Sequence, residues 1–320
     1  MTILHANAVE VETNDTAQKV SGVKAVCLNG GRFHVKAKLF VLATGAIEIP
    51  RLLLTSNRVC KAGLGNQHDL VGRFFMEHPH LWSGIFIPSG DRLFRSTGLY
   101  RVHTVKNVPI MGKLTLSESV LRSERLLNYA VSIHPRLCPD PADHAGASQG
   151  MPGMTEKILR HVKGVRKIEG FALNHMSEQA PNPDSRIMLS NETDALGQRR
   201  IKLDWRLTAS DMRTIRRAQQ IIDEELQLAG LGRLHVEMRD DSVPQHITGG
   251  WHHMGTTRMH SDPAKGVVDG QCRVHGIANL FIAGPSVFPT CGYANPVLTI
   301  VALAARLGDH LKKYMVSFGG

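Results

Sequence analysis

WHHMGTTRM over residues 251–259, GVVDGQCRVHGIANLFIAGPSVFPT over residues 266–290 and CGYANPVLTIVALAARLGDHL over residues 291–311 decide how this chain reads. A histidine pair on a Gly-bounded turn is followed by an apolar run that predicts a buried strand, and then by an Asn-Pro step that opens a helical pattern. Pro296 suits the first helical position, where a missing N–H costs nothing, and Asn295 precedes it as an N-cap would. From there Val297, Leu298, Ile300, Val301, Leu303, Ala304, Leu307 and Leu311 recur at helical spacing and predict a wide buried face. Arg306, Asp309, His310, Lys312 and Lys313 mark the wetter end. The free N–H groups and positive dipole end of this helix favour negative charge beside Asn295. That order can place an imidazole, a carboxamide and a helix N-terminus around one redox-active ring.

Working outward, Phe40-Val41-Leu42-Ala43-Thr44-Gly45 reads as a buried strand ending in a Gly turn. The stretch from Ala46 to Ser56 follows as a helix, with Pro50 expected in its first turn. Asn29-Gly30-Gly31-Arg32 lies between two apolar alternating runs and reads as a hairpin turn.

These motifs resemble the C-terminal part of the glucose–methanol–choline (GMC) flavin oxidoreductases. The family places a His in a segment like Trp251-His252-His253-Met254-Gly255-Thr256, and a second His or Asn where this chain has Ala294-Asn295-Pro296-Val297. Val267-Val268-Asp269, Arg273-Val274-His275-Gly276 and Asn279-Leu280 match as well. The segment from Phe40 to Ser56 resembles a second family signature, with Ile49 and Asn57 at places where the family usually has Ser or Thr and Gly. Glu178-Gln179-Ala180-Pro181-Asn182-Pro183-Asp184-Ser185-Arg186-Ile187 resembles a segment of its sugar- and alcohol-oxidising branches.

The resemblance implies His252 and Asn295 as the catalytic pair. It implies FAD as cofactor, held near Ala8, Gly45, Ala283, Gly284, Ala294, Pro296 and Val297. The strand-like opening from Thr2 to Val11 would pass the adenine. Many members carry an acidic residue where Gly284 stands, so no side-chain bond is expected there. A neutral histidine suits removal of an O–H proton near pH 7, and the cofactor carries the hydride step. Asn295 can act as substrate partner, as N-cap, or as both. His253 is the other candidate base, and His78 and His80 could line the ring or be satisfied by backbone.

The implied fold class is mixed α/β: a partial FAD-binding domain (1–72), an antiparallel-sheet substrate domain with helices (73–250), and a catalytic segment (251–320) returning to the first. No G-x-G-x-x-G occurs in the 320 residues, so the Gly-rich βαβ unit that lets backbone approach a pyrophosphate is missing. Two readings follow. One is the C-terminal portion of an FAD-dependent dehydrogenase or oxidase of alcohol or sugar CH–OH groups. The other is a non-catalytic piece that does not hold FAD alone, or that completes its site with a second chain.

Among the remaining elements, residues 81–87, 171–177, 185–190 and 200–205 read as strands, and residues 117–125 as a helix. Ser210 opens a long helix that Gly230 ends. Residues 139–153 read as a loop, a lid or a plain surface excursion, and residues 154–167 as a helix carrying His161, Lys163, Arg166 and Lys167. The net charge is +10, but aromatic residues are scarce at 5%, which argues against a nucleic-acid surface with stacking platforms. The basic cluster reads as a solvated face. No run of eighteen apolar residues predicts a transmembrane helix. Five scattered cysteines suggest neither zinc nor a disulfide framework and lean toward a reducing, cytoplasmic compartment. The closely spaced histidines lack the Cys or acidic pattern of a metal site. The sequence names neither the substrate nor the electron acceptor.

Overall fold

The structure, a computed structural model, describes residues 1–137 and 168–317. The loop expected over 139–153 and the basic helix expected over 154–167 lie outside the described residues. In chain order the first strands are β1 (Asn7–Thr13), β2 (Val20–Val26), β3 (Arg32–Val35), β4 (Phe40–Leu42), β5 (His80–Pro88), β6 (His103–Val105) and β7 (Val108–Ile110). They are followed by β8 (Leu114–Thr115), β9 (Tyr129–Leu137), β10 (Ile168–Ser177), β11 (Arg186–Thr193), β12 (Arg199–Asp204), β13 (Gly232–His235) and β14 (Leu280–Ile282). The helices are α1 (Gly45–Thr55), α2 (Arg92–Arg95), α3 (Glu118–Glu124), α4 (Ala209–Leu228) and α5 (Val297–Ser317). The class is mixed α/β with antiparallel sheets, as the motifs imply.

The chain divides into two compact units, Met1–Pro79 with Glu178–Asp211 and Gly249–Gly320, and His80–Ser177 with Met212–Thr248. The first unit therefore takes in Glu178–Asp211, which lies inside the 73–250 span.

In the first unit β1, β2 and β3 form an antiparallel meander. The Asn29-Gly30-Gly31 turn closes with the Cys27 N–H donating to the Gly31 carbonyl at 2.8 Å, and Gly30 takes φ 92°. β4 pairs in parallel with β14, Val41 opposite Phe281. The core here joins Phe40, Leu42, Ile49 and Leu53 to Val267, Val274, Leu280, Phe281 and Ile282. Two polar side chains stitch it. The Asn279 carboxamide accepts from Val20 N–H at 2.8 Å and donates to the carbonyls of Val20 and Lys38 at 3.0 and 3.1 Å. The Ser56 hydroxyl accepts from Val11 N–H at 2.8 Å and donates to Leu52 O at 2.7 Å. Both groups supply acceptors to N–H groups of buried residues, Val11 and Val20.

Two helix readings are corrected. α1 begins at Gly45, so Pro50 stands inside it rather than in its first turn. Proline has no N–H for the carbonyl four residues back. That carbonyl, of Ala46, instead accepts the buried hydroxyl of Thr256 at 2.6 Å. α5 begins at Val297, and its first helical bond runs from the Ile300 N–H to the Pro296 carbonyl at 2.9 Å, one residue later than the Asn295 cap would require. Its buried face is narrower than its composition suggests. Leu307 is 4% exposed, whereas Val297, Leu298 and Val301 are 61%, 82% and 60% exposed.

In the second unit an antiparallel sheet has the order β13-β5-β10-β9-β8. Phe86, Phe171, Tyr129, Val131 and Leu173 from its strands pack with Ala218 and Ile222 of α4. Ser117 caps α3 through its side chain and Arg125 closes it in the left-handed conformation, the boundaries expected from sequence.

Candidate active site

The loop carrying the histidine pair is built on a short antiparallel pairing. Met76 and Met254 exchange both backbone bonds at 3.0 Å. Gly255 follows with φ 86°, and a Cβ there would lie 2.2 Å from the Phe74 carbonyl oxygen, so only glycine fits. Beyond it, the N–H groups of Gly255, Thr257 and Met259 donate to the carbonyls of Pro285, Ser286 and Val287. The histidine segment is thus held against residues 74–76 on one side and residues 285–287 on the other.

Glu77 is the organising side chain. Its carboxylate is 5% exposed and lies 3.1 Å from Nε2 of His253. The same group accepts from the N–H of Gly250 at 3.1 Å, of His252 at 3.0 Å and of His78 at 3.3 Å. Burial opposes its charge, but the His253 ring and the backbone N–H groups of His252 and His78 outweigh burial and hold the carboxyl below its ordinary range. His253 also packs on Phe75, with ring centroids 5.5 Å apart. The second histidine of the pair is therefore engaged by Glu77, and the backbone of the first is fixed by it.

The His252 ring meets the ring of His78, centroids 5.1 Å apart and 66° between planes. His78 is 1% exposed, and its Nδ1 lies 2.8 Å from the Gly292 carbonyl. Glu178 accepts from the Gly292 N–H at 3.3 Å. The Cys291 thiol is buried at the same junction: it accepts from the Gln179 N–H at 3.2 Å and lies 3.5 Å from the Glu77 carbonyl. Burial pushes that thiol up to about 12, so it is a neutral packing group at neutral pH. Residues 77–78, 178–179 and 291–292 are locked together. Asn295 follows on the same loop, exposed, and its carboxamide has no hydrogen bond among the described residues.

The expected cofactor residues fall in three places. Gly45 and the pair Ala283-Gly284 stand at the carboxyl ends of β4 and β14, where parallel strands present ligands. Gly45 takes φ 82° and Gly284 φ 130°, and a Cβ at either would meet nothing within 4 Å, so backbone there is open to close approach. Ala8 lines a cleft of about 420 Å³ together with Thr44, Glu48, Arg51 and Asp194; Arg51 and Asp194 form an ion pair at 2.5 Å across it. Ala294 and Pro296 precede α5, and Val297 is its first residue. Among the described residues no group of three or more His, Cys, Asp or Glu could hold a metal ion.

Sequence reading named His252, Asn295 and the glycines. It gave Glu77 no role. The signal was the Glu77-His78-Pro79-His80 string, but Glu77 acts on residues about 175 positions away, which the Met76–Met254 pairing brings beside it.

Residues 181–304 match the family model described as GMC oxidoreductase. The chain is 29% identical over 281 residues to the fructose dehydrogenase large subunit of Gluconobacter japonicus, covering 86% of this chain and 47% of that protein. It is 29% identical over 309 residues to paromamine 6'-oxidase of Streptomyces fradiae, covering 95% and 51%. The chain thus spans about half the length of the curated relatives it matches. Among solved structures, pyridoxine 4-oxidase from Mesorbium loti superposes with a TM-score of 0.57 at 16% identity, covering 95% of this chain and 57% of that one. A formate oxidase of Aspergillus oryzae, studied for modification of its FAD, gives 0.56 at 17% identity, covering 97% and 60%. At these identities the structures speak for the fold.

Proposed function

We propose, for a chain that belongs to the GMC oxidoreductase family, that the His252 loop is the proton-handling part of an FAD-dependent oxidation of an alcohol or sugar CH–OH group. His252 takes the hydroxyl proton, and Asn295 holds the substrate oxygen through its carboxamide. FAD, when bound, supplies the acceptor for the hydride. The residues that would hold it are Ala8, Gly45, Ala283, Gly284, Ala294, Pro296 and Val297. The N–H groups at the start of α5 would favour negative charge beside Val297. Functionally, residues 1–72 and 251–320 serve the cofactor and residues 73–250 the substrate.

One observation carries this reading. His252 touches His78, His78 is bonded to Gly292, and Asn295 follows three residues later. The His252 ring is therefore joined through His78 to the backbone of the loop that carries Asn295, 43 positions further along the sequence. The experiment is His252→Ala in the FAD-loaded enzyme. Turnover of alcohols falls by about 10²–10⁴-fold while the flavin spectrum is retained; unchanged turnover removes His252 from the mechanism.

A second reading concerns the chain by itself. It carries no Gly-rich phosphate-binding turn, and β4 has a neighbour on only one side among the described residues. A further polypeptide segment with a Gly-rich βαβ unit, on a second chain for instance, would complete the cofactor site. The 320 residues alone then hold FAD weakly or not at all. Gel filtration with absorbance detection tests this, and stoichiometric yellow flavin co-eluting with the chain contradicts it.

A further inference from the structure

His78 Nε2 is buried and has no hydrogen-bond partner among the described residues. Its Nδ1 faces the Gly292 carbonyl at 2.8 Å. A carbonyl only accepts, so Nδ1 carries the proton and the neutral ring presents a lone pair at Nε2. Burial holds this ring neutral, below the usual imidazole range, although the Gly292 carbonyl, Glu77 and Glu178 pull the other way. His252 has the complementary deficit: its Nδ1 is also buried without a partner.

The two rings are at bonding separation. With about 2.9 Å between nitrogens and about 1.1 Å from each nitrogen to its ring centre, an imidazole N–H···N bond puts the centroids about 5 Å apart. The observed separation is 5.1 Å. In the structure the rings meet edge to face and the two nitrogens are not hydrogen-bonded to each other. The Cβ–Cγ bond points through the ring centre, so turning the His252 ring about it changes the direction of Nδ1 while leaving the centroid separation unchanged. One bond then satisfies two buried polar atoms that are each costly alone.

We infer that His78 is a positioning residue that fixes the tautomer of His252. The Gly292 carbonyl takes the Nδ1–H of His78, His78 Nε2 takes the Nδ1–H of His252, and Nε2 of His252 is left unprotonated. In the Nε2–H tautomer the buried Nδ1 of His252 would carry only a lone pair and could not donate to the lone pair of His78 Nε2. When Nε2 accepts a proton, the imidazolium strengthens the same bond, because its Nδ1–H becomes a charge-assisted donor. The consequence for turnover rests on the proposed role of His252; the tautomer is a property of the chain without cofactor.

Long-range ¹H–¹⁵N NMR of the ¹⁵N-labelled chain reads both rings directly. His78 and His252 are both expected as the Nδ1–H tautomer at neutral pH. His78→Phe removes the acceptor and shifts His252 toward the Nε2–H form; His78→Gln, whose amide oxygen can stand in for Nε2, keeps it Nδ1–H. If His252 is the Nε2–H tautomer in the unsubstituted chain, or does not change in His78→Phe, the inference is overturned. Should His78→Phe not fold, the unsubstituted chain and His78→Gln still decide. In the FAD-loaded enzyme, His78→Phe lowers kcat about 100-fold or more, with partial recovery in His78→Gln. Unchanged turnover in His252→Ala would sink the base assignment while leaving the NMR result standing, so the two failures are distinguishable.

Discussion

At the scale of single residues, the charge of Glu77 couples the histidine loop to stability. Its carboxylate is almost fully buried yet held ionised by three backbone N–H groups and by His253. Glu77→Gln removes the charge that these donors converge on and costs about 2–4 kcal/mol at pH 7. The sign of the pH dependence follows from the direction of the shift. The folded carboxyl lies below the reference value of 4.5, so the stabilisation is complete above 4.5 and is lost as pH falls through the lower folded value. Urea denaturation of both forms from pH 7 to pH 3.5 should show the gap closing at the acid end. A gap independent of pH would mean that the carboxylate contributes by shape rather than charge. This residue also marks where sequence reading stops. His252 is legible because its neighbours form an ordered string. Glu77 is not, because its partners are assembled only by a pairing between residues far apart in the chain.

Among the elements, α1 shows how a local rule and a distant residue combine. A Pro-containing helical stretch after a Gly turn is plain in the sequence, but the start of the helix is not, since Pro50 reads naturally as a first-turn residue. The helix extends five residues earlier because Thr256 supplies the donor that Pro50 lacks. Thr256→Val keeps the shape and leaves the Ala46 carbonyl buried without that bond, at a cost of about 1–3 kcal/mol. Thr256→Ser restores most of it. Thermal or urea midpoints of the three forms check the ordering, and equal stability of the Val and Thr forms would show that the carbonyl has another partner. α5 gives the opposite lesson. Its helical period is clear, yet periodicity states only which residues are apolar, not which of them this chain covers; Leu307 is buried and Leu298 is not.

For the whole molecule, the parallel pair β4–β14 is the least self-sufficient part of the fold. Parallel sheets ordinarily have more strands and are covered on both faces. Here β4 pairs on one side only among the described residues. The Phe40 N–H and the Leu42 carbonyl bond toward β14, to Asn279 O and Ala283 N–H. In a parallel ladder the N–H and C=O of the intervening Val41 therefore point outward, and the residue is 42% exposed. An unprotected edge with an apolar side chain is a template for pairing with another chain, and Val297, Leu298 and Val301 add exposed apolar surface in the same unit. A net charge of +10 opposes association at long range, but salt near physiological strength screens it beyond about 8 Å. The chain alone should therefore associate more as salt is raised. Val41→Lys places a charge at the edge, a device natural sheets use to block pairing, and should reduce that association without lowering the thermal midpoint by more than a few degrees. Sedimentation velocity at low and physiological salt measures the first effect and scanning calorimetry the second. Sedimentation unchanged by the substitution would place the association elsewhere on the molecule and leave the outward face of β4 without a demonstrated role.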